Sequence, residues 1–206
     1  GAAPALAIAE AARRAQGPLL CIVPDMPSAV RLSDALRFFL DEPFASAEQI
    51  GTRPEQGDDA IPVLGFPDWE TLPYDVFSPL PELVSERLLT LHRLPQLARG
   101  VLVVPVGTLM QRLPPPDYVD GQSLVLKTGD RLDLERTRER LTRAGYQCVS
   151  QVVAHGEFAV RGALLDIFPM GSREPLRIDL FDDEVESIRT FDPDSQRSIA
   201  KLEQVW

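Results

Sequence analysis

The sequence predicts a two-part fold, a parallel α/β layer followed by a smaller, strand-rich α+β domain. In the first half, helical and strand patterns alternate in the order α, β, α, β, α, β, which favours a parallel sheet. In the second half, several strand patterns surround a single helix. The three consecutive prolines of LPPPDYVDG (113–121) can continue neither a helix nor a central strand, so the boundary is placed there. The predicted domains are 1–121 and 122–206.

Three helices are predicted in the first domain and one in the second. Residues 4–15 are rich in alanine, the residue with the highest helix propensity. Apolar residues recur at helical spacing over 27–40 and again over 80–94. In the second domain, residues 133–145 run from an aspartate N-cap to a glycine stop, which predicts a helix between them.

Apolar runs of strand length predict the sheets. In the first domain, the runs at 18–25, 61–66 and 100–106 are continuous, as in parallel strands that are buried on both faces. Residues 41–60 are polar and acidic, which predicts a loop. Strands in the second domain are predicted at 123–132, 147–153, 157–169 and 176–181.

Composition favours a protein partner over nucleic acid. The chain has 21 basic and 31 acidic residues and a formal net charge of −10, whereas phosphate binding needs clustered cations. We therefore expect little direct nucleic acid binding and a partner protein with a complementary surface. No apolar run approaches the ~18 residues of a membrane span. Cys21 and Cys148 are far apart, which predicts buried free thiols in a cytoplasmic protein.

Motifs for catalysis are missing from the sequence. An α/β layer can carry a phosphate loop, and the only candidate is GAAPA (1–5), which opens the first helix. Pro4 occupies the position of the lysine, and no Ser or Thr stands at the required place. His92 and His155 have no second ligand at metal spacing, and no Gly-x-Ser-x-Gly motif is found. The sequence therefore predicts no catalytic residue, no cofactor and no metal site.

Aromatic residues are interleaved with acidic ones in DWETLPYDVFSP (68–79). Trp69, Tyr74 and Phe77 could stack on nucleic acid bases, and a DNA-contacting damage-recognition module is the alternative function that this segment leaves open. The neighbouring charges are all acidic and would repel a phosphate backbone. The favoured interpretation is that the aromatic side chains hold a long loop on the sheet.

The strand at 176–181 has an unusual outward face. Alternation along the strand places Arg177, Asp179 and Phe181 on the face opposite the apolar residues. A polar outward face is ordinary, but an exposed phenylalanine beside an arginine is typical of an interface anchor. This face is the candidate binding surface.

A fourth residue joins this surface if the preceding strand pairs as a hairpin. With 168–175 as the turn, symmetric pairing of one long strand places Arg161 beside Phe181. The structural alternative is that the two arginines pair with Glu157 or Asp166 inside the sheet and that the phenylalanine is peripheral core.

Three long segments resemble a known family. Residues 68–79, 85–116 and 155–192 are similar to the N-terminal region of bacterial transcription-repair coupling factors, which in turn is similar to part of the repair helicase UvrB. The resemblance covers nearly the whole chain except residues 41–62. It implies a degenerate helicase-like (RecA-like, UvrB-like) α/β domain without a working phosphate loop, followed by a UvrA-binding domain.

The resemblance also implies a function and a set of site residues. This region would be a non-catalytic module that recruits UvrA to stalled transcription complexes for nucleotide excision repair, within a full-length ATP-dependent DNA translocase. Other domains of the full-length protein would mask the surface until the motor engages. Arg161, Arg177 and Phe181 fall on positions that contact UvrA in the family, and Asp179 falls where UvrB has an acidic contact residue.

Overall fold

A computed structural model of the chain divides into two compact units, with the division between residues 120 and 121. Each unit is described by itself. The residues that the structure describes are 2–40, 61–71, 78–116, 119 and 125–205.

The first unit contains the predicted parallel sheet. Its strands are β1 (Leu19–Val23), β2 (Val63–Gly65) and β3 (Val101–Pro105), in the order β1-β3-β2. β3 pairs in parallel with both neighbours, which confirms the parallel arrangement predicted from the alternating pattern.

Helices pack against this sheet. They are α1 (Ala2–Arg14), α2 (Met26–Phe39), α3 (Pro81–Arg93) and the single turn α4 (Val106–Leu109), and a 3₁₀ turn follows α3 at Leu94–Gln96. α1 buries three alanines at helical spacing, Ala5, Ala9 and Ala12, which lets α2 approach closely. α2 begins at Asp25, whose carboxylate accepts a 2.8 Å hydrogen bond from the backbone N–H of Ser28. None of the described helices is long and apolar enough to span a membrane.

The prediction that every strand of this sheet is buried on both faces was wrong for β1. β1 is an edge strand, and Leu20 and Ile22 on one of its faces are more than half exposed. A continuous apolar run shows strand propensity but not which face a neighbouring element covers, so the pattern could not reveal this.

The second unit is built on a six-stranded sheet in the order β10-β9-β8-β7-β6-β5. β5 pairs with β6 in parallel, and all other neighbours are antiparallel. A separate two-stranded pair joins β4 and β11. The elements of this unit are β4 (Leu126–Lys127), α5 (Leu134–Arg143), β5 (Gln147–Cys148), β6 (Glu157–Arg161), β7 (Leu164–Ile167), β8 (Leu176–Phe181), β9 (Glu184–Phe191), β10 (Ser198–Leu202) and β11 (Gln204–Val205).

Two clusters of buried residues lie on opposite faces of the six-stranded sheet. The main core joins α5 to the strands, and Phe158, Ile178 and Ile188 are among its fully buried members. A smaller cluster on the other face comprises Val152, Ala159, Phe168 and Phe191. The segment between β5 and β6 supplies Val152, because a connection between parallel neighbours must cross one face of the sheet.

Two predictions for this unit were wrong. The single strand predicted at 157–169 is two strands, β6 and β7, joined by a two-residue turn at Gly162 and Ala163. Gly162 has φ +62°, a conformation that favours glycine, and this residue was the signal for a turn inside the apolar run. Cys148 is exposed rather than buried, because β5 is a two-residue edge strand whose residues are both open to solvent. Cys21 in the first unit is only partly buried, and both cysteines are free thiols.

We expect Gly162→Ala to lower the free energy of unfolding by about 1 kcal/mol, because a Cβ is strained at this positive φ although the space around it is open. Gly17→Ala is the matched control, since a Cβ at Gly17 also meets open space but Gly17 has no positive φ, and it should cost less. Urea unfolding monitored by circular dichroism measures both. Equal stability of the alanine variant and the wild type would contradict the assignment of this turn.

Candidate protein-interaction surface

The face of the six-stranded sheet opposite the main core carries the predicted site residues. We call it the polar face. Within β6, β7 and β8 its members are Ala159, Arg161, Leu164, Asp166, Arg177, Asp179 and Phe181. All four predicted site residues therefore lie on one face. The smaller apolar cluster covers the Ala159 end of this face, and the rest is open.

The hairpin register was predicted correctly, but Arg161 reaches the polar face by another route. β7 and β8 pair with Leu164 opposite Asp179, in the register expected from a turn over 168–175. The chain reverses at Gly162, directly after Arg161, so Arg161 lies at the end of β6 opposite Leu164. Arg161 is therefore separated from β8 by the whole of β7, and the prediction that it lies beside Phe181 was wrong.

A buried carboxylate on β7 connects the two arginines. Asp166 is fully buried between β6 and β8. It accepts two hydrogen bonds from Arg177, from Nε at 2.8 Å and from Nη2 at 3.0 Å, in the bidentate geometry that suits a guanidinium. Arg161 Nη2 donates to the same carboxylate from the other side. Arg161 and Arg177 therefore both pair with Asp166 inside the sheet, as the structural alternative expected.

Arg177 is held more tightly than Arg161. Its Nη1 also donates to the Gln196 backbone carbonyl at 3.1 Å, and its guanidinium carbon lies 4.5 Å from the centre of the Phe191 ring. Only 16% of the Arg177 side chain is exposed, against 49% for Arg161. Hydrogen bonding to Asp166 raises the pKa of Arg177 above its ordinary value, although desolvation opposes this shift. Arg177 is therefore a permanent, oriented cation.

Glu157 binds backbone N–H groups, whereas the structural alternative considered it as a partner of the arginines. Its carboxylate accepts hydrogen bonds from the backbone N–H groups of Val153, at 2.8 Å, and Ala154, at 2.9 Å. These bonds fix the crossing segment before β6. His155 in the same segment stacks its ring on Phe168, with 3.9 Å between the ring centres. The segment therefore forms a fixed border of the open surface.

Phe181 is an exposed side chain and not peripheral core. It is the last residue of β8, lies opposite Glu184 across the turn to β9, and is 72% exposed. The turn needs a positive φ at Asp182, 55°, which aspartate tolerates. An exposed aromatic ring at the end of an ordered strand has a large apolar area that only a partner can bury.

Asp179 takes part in a second polar network. The Ser187 hydroxyl donates to its carboxylate at 2.7 Å, and Arg189 Nη2 lies 3.7 Å from the same carboxylate. Asp179 is therefore partly neutralised by β9.

An open groove of about 600 Å³ joins three of the four predicted residues. Its lining residues are Ser150, Gln151, Arg161, Leu164, Arg177, Asp179 and Gln196. Phe181 lies on the same face beyond this groove. The groove is open and lined by both polar and apolar atoms, so it suits side chains of a partner better than an enclosed small molecule.

Sequence reasoning missed four contributors to the polar face. Asp166 was considered only as part of the structural alternative, and Gln196, Arg189 and Lys201 were not considered. β9 and β10 place Arg189 opposite Arg177 and Lys201 opposite Arg189. Alternation along EVESIRTF (184–191) could have suggested Arg189, but a bulge after Asp179 shifts the register and obscures this signal.

Of the aromatic segment 68–79 in the first unit, the structure describes residues 68–71 and 78–79. Arg87, which is buried, lies between two rings, with its guanidinium carbon 4.2 Å from the centre of Phe66 and 3.9 Å from that of Trp69. Its Nη1 donates to the Pro67 carbonyl at 2.5 Å. Trp69 therefore packs on Arg87 of helix α3. Tyr74 and Phe77 lie outside the described residues.

Among the residues that the structure describes, no group of three or more His, Cys, Asp or Glu side chains could hold a metal ion. The observed features are instead an ordered guanidinium pair, an exposed phenylalanine and an open groove on a rigid sheet. These features together define a protein-interaction domain. In agreement, residues 124–206 match the protein family described as the UvrB interaction domain.

The whole chain is similar to one group of repair proteins. It is 48% identical over 205 residues to the transcription-repair-coupling factor of Escherichia coli, which covers 100% of this chain and 16% of that protein. It is 46% identical over 203 residues to the Haemophilus influenzae protein of the same name, covering 98% of this chain and 16% of that protein. The Bacillus subtilis factor is 36% identical over 143 residues, 69% of this chain and 12% of that protein.

By these matches the chain belongs to the family of bacterial transcription-repair-coupling factors, as the resemblance predicted. It spans about a sixth of the length of the first two relatives.

Proposed function

We propose that this chain is a non-catalytic recruitment module that binds UvrA and brings it to stalled transcription complexes for nucleotide excision repair. The observation that carries the proposal is the polar face with its two arginines fixed by Asp166 and its exposed Phe181. This face lies within the segment that matches the UvrB interaction domain. The domains are 1–121, a degenerate helicase-like unit, and 122–206, the UvrA-binding unit.

The four site residues have different roles in the proposed complex. Phe181 is the apolar anchor, because most of its ring surface is open and its burial would be gained only on binding. Arg161 is half-exposed and offers its guanidinium to a partner carboxylate at the edge of the groove. Arg177 has three of its five N–H groups engaged by Asp166 and Gln196, which leaves two for a partner. Asp179 accepts hydrogen bonds beside them.

The first unit supports this module without chemistry of its own. Its parallel sheet with helices packed against it fits a helicase-like layer. In GAAPA the position of the lysine is taken by Pro4, which lies in the first turn of α1, where proline is tolerated. We propose that nucleotide hydrolysis belongs to other parts of the full-length protein, an ATP-dependent translocase, and that other domains of that protein mask the polar face until the motor engages.

We expect Phe181→Ala to weaken UvrA binding by about 30-fold or more, because an anchor residue contributes ~2 kcal/mol. Isothermal titration of purified UvrA with each variant measures this effect. Phe38→Ala is the matched control, since Phe38 in α2 is 75% exposed, close to the 72% of Phe181, and belongs to the other unit. Thermal unfolding should be unchanged for Phe181→Ala.

Three results, two from this titration and one from a separate DNA-binding assay, would contradict the proposal. Failure of the wild-type chain to bind UvrA would reject the recruitment function. Equal affinity of the two phenylalanine variants would move the interface away from β8. Salt-dependent binding of the chain to single-stranded DNA, lost in Trp69→Ala, would favour the DNA-contacting alternative.

A further inference from the structure

The polar face continues beyond the proposed anchor residues as a row of charges across four strands. Cross-strand pairing aligns one residue from each of β7, β8, β9 and β10. We call this set the charged row: Asp166, Arg177, Arg189 and Lys201. It contains three cations and one carboxylate, in a chain whose formal net charge is −10.

Such a row is electrostatically unfavourable within the isolated sheet. Arg189 lies directly opposite a cation on both sides, Arg177 on β8 and Lys201 on β10. Like charges at directly opposed cross-strand positions destabilise a sheet. Asp166 neutralises only Arg177 and Arg161, both of which bond to it.

The far end of the row is poorly neutralised. Arg189 Nη2 is 3.7 Å from Asp179, a distance too long for a hydrogen bond, and 44% of the Arg189 side chain is exposed. Lys201 is exposed and forms no ion pair with any described residue. Positive charge therefore increases from the buried end of the row towards β10.

We infer that the charged row binds an acidic segment of the partner protein, so that the interface extends from β8 to the sheet edge at β10. Arg189 and Lys201 are its additional contact residues. Neighbouring strands are about 4.8 Å apart, so the cations of the row extend over ~10 Å and can receive carboxylates from one strand or helix. This inference rests on the proposed function, since it takes UvrA as the partner.

Charge reversal tests the row with a matched control. Lys201→Glu and Arg189→Glu each change the net charge by −2, as does Arg138→Glu on α5, an exposed arginine on the side of the sheet that carries the main core. We expect each row variant to weaken UvrA binding about tenfold and the control to have little effect, because local charge complementarity determines steering and salt dependence. The slope of log Kd against log salt concentration should also fall for the row variants alone.

Different results would reject the charged row as a contact and the proposed function itself. If all three variants weaken UvrA binding equally, only the net charge matters and the row is rejected as a contact. If Arg189→Glu unfolds, the affinity of Lys201→Glu for UvrA decides the question, because Lys201 forms no ion pair with the residues that the structure describes.

Failure of the wild-type chain to bind UvrA would reject the proposed function. In that case, titration with a hexaglutamate peptide tests whether the charged row binds an acidic ligand. The readout is the set of amide chemical shifts during a titration with the peptide. Shifts centred on residues 177, 189 and 201 would support an acidic ligand for the row. Shifts of equal size on α5, or none at all, would overturn it.

Discussion

Replacing Arg177 with alanine is expected to lower the free energy of unfolding of the second unit by about 3 kcal/mol, the lower end of the range for breaking a buried ion pair. The truncation removes two of the three hydrogen bonds that Asp166 receives and uncovers the ring of Phe191. The effect stays at the lower end because Arg161 remains bound to the carboxylate. Urea unfolding followed by near-ultraviolet circular dichroism measures the change.

Two further variants test the cause of this loss. Arg189→Ala removes a cation from the neighbouring strand, but its pair with Asp179 is long and partly exposed and it lies opposite two other cations, so we expect the free energy of unfolding to change by less than about 1 kcal/mol. The double variant Asp166→Ala with Arg177→Ala should recover part of the lost stability, since no buried carboxylate is left without its main partner. A double variant less stable than Arg177→Ala alone would contradict this account.

The expected loss of stability in Arg177→Ala affects how the proposed binding surface can be mapped by substitution. A loss of UvrA binding in Arg177→Ala would combine a lost contact with a weakened fold. Substitutions of Phe181 and Lys201 report on binding without a loss of stability, because both side chains are exposed and no described ion pair depends on them.

Phe158→Ala should cost about 3–5 kcal/mol of the free energy of unfolding, the range for truncating a buried aromatic residue. Phe158 is fully buried in the main core, where it packs with strands and helix α5. Phe181→Ala removes the same atoms from the opposite face of the same sheet and should change stability by less than about 0.5 kcal/mol.

The comparison of the two phenylalanines tests the assignment of faces. Thermal and urea unfolding of both variants, measured together, provide the two values. Similar losses for the two variants would mean that Phe181 contributes to the core, and its role as an exposed anchor would have to be abandoned.

Periodicity and propensity were sufficient to predict much of the fold. The four helices that were predicted are found at 2–14, 26–39, 81–93 and 134–143, within a few residues of their expected bounds. The strand alternation of β8 placed Arg177, Asp179 and Phe181 on one face correctly. These features depend on local sequence, so a single chain contains enough information to predict them.

Features that depend on non-local pairing were missed. The turn at Gly162 depends on a glycine in a positive φ, which an apolar run conceals. The pairing of Arg161 and Arg177 through Asp166 requires β7 to lie between β6 and β8, and the single-strand prediction excluded that arrangement. The cations of β9 and β10 were not assigned to the polar face because no strand was predicted after residue 181, and a bulge after Asp179 shifts the register of β9.

The strand order of the six-stranded sheet also has a consequence for how the chain acquires its structure. From β5 to β10, every strand lies beside the one that precedes it in sequence. The loops that must close are therefore short, contact order in this sheet is low, and low contact order is associated with rapid folding. Because β7, β8 and β9 are consecutive, the residues of the proposed interface on these strands come together through successive hairpins and need no distant part of the polypeptide. The proposed interaction surface can thus form as soon as these strands have been synthesised.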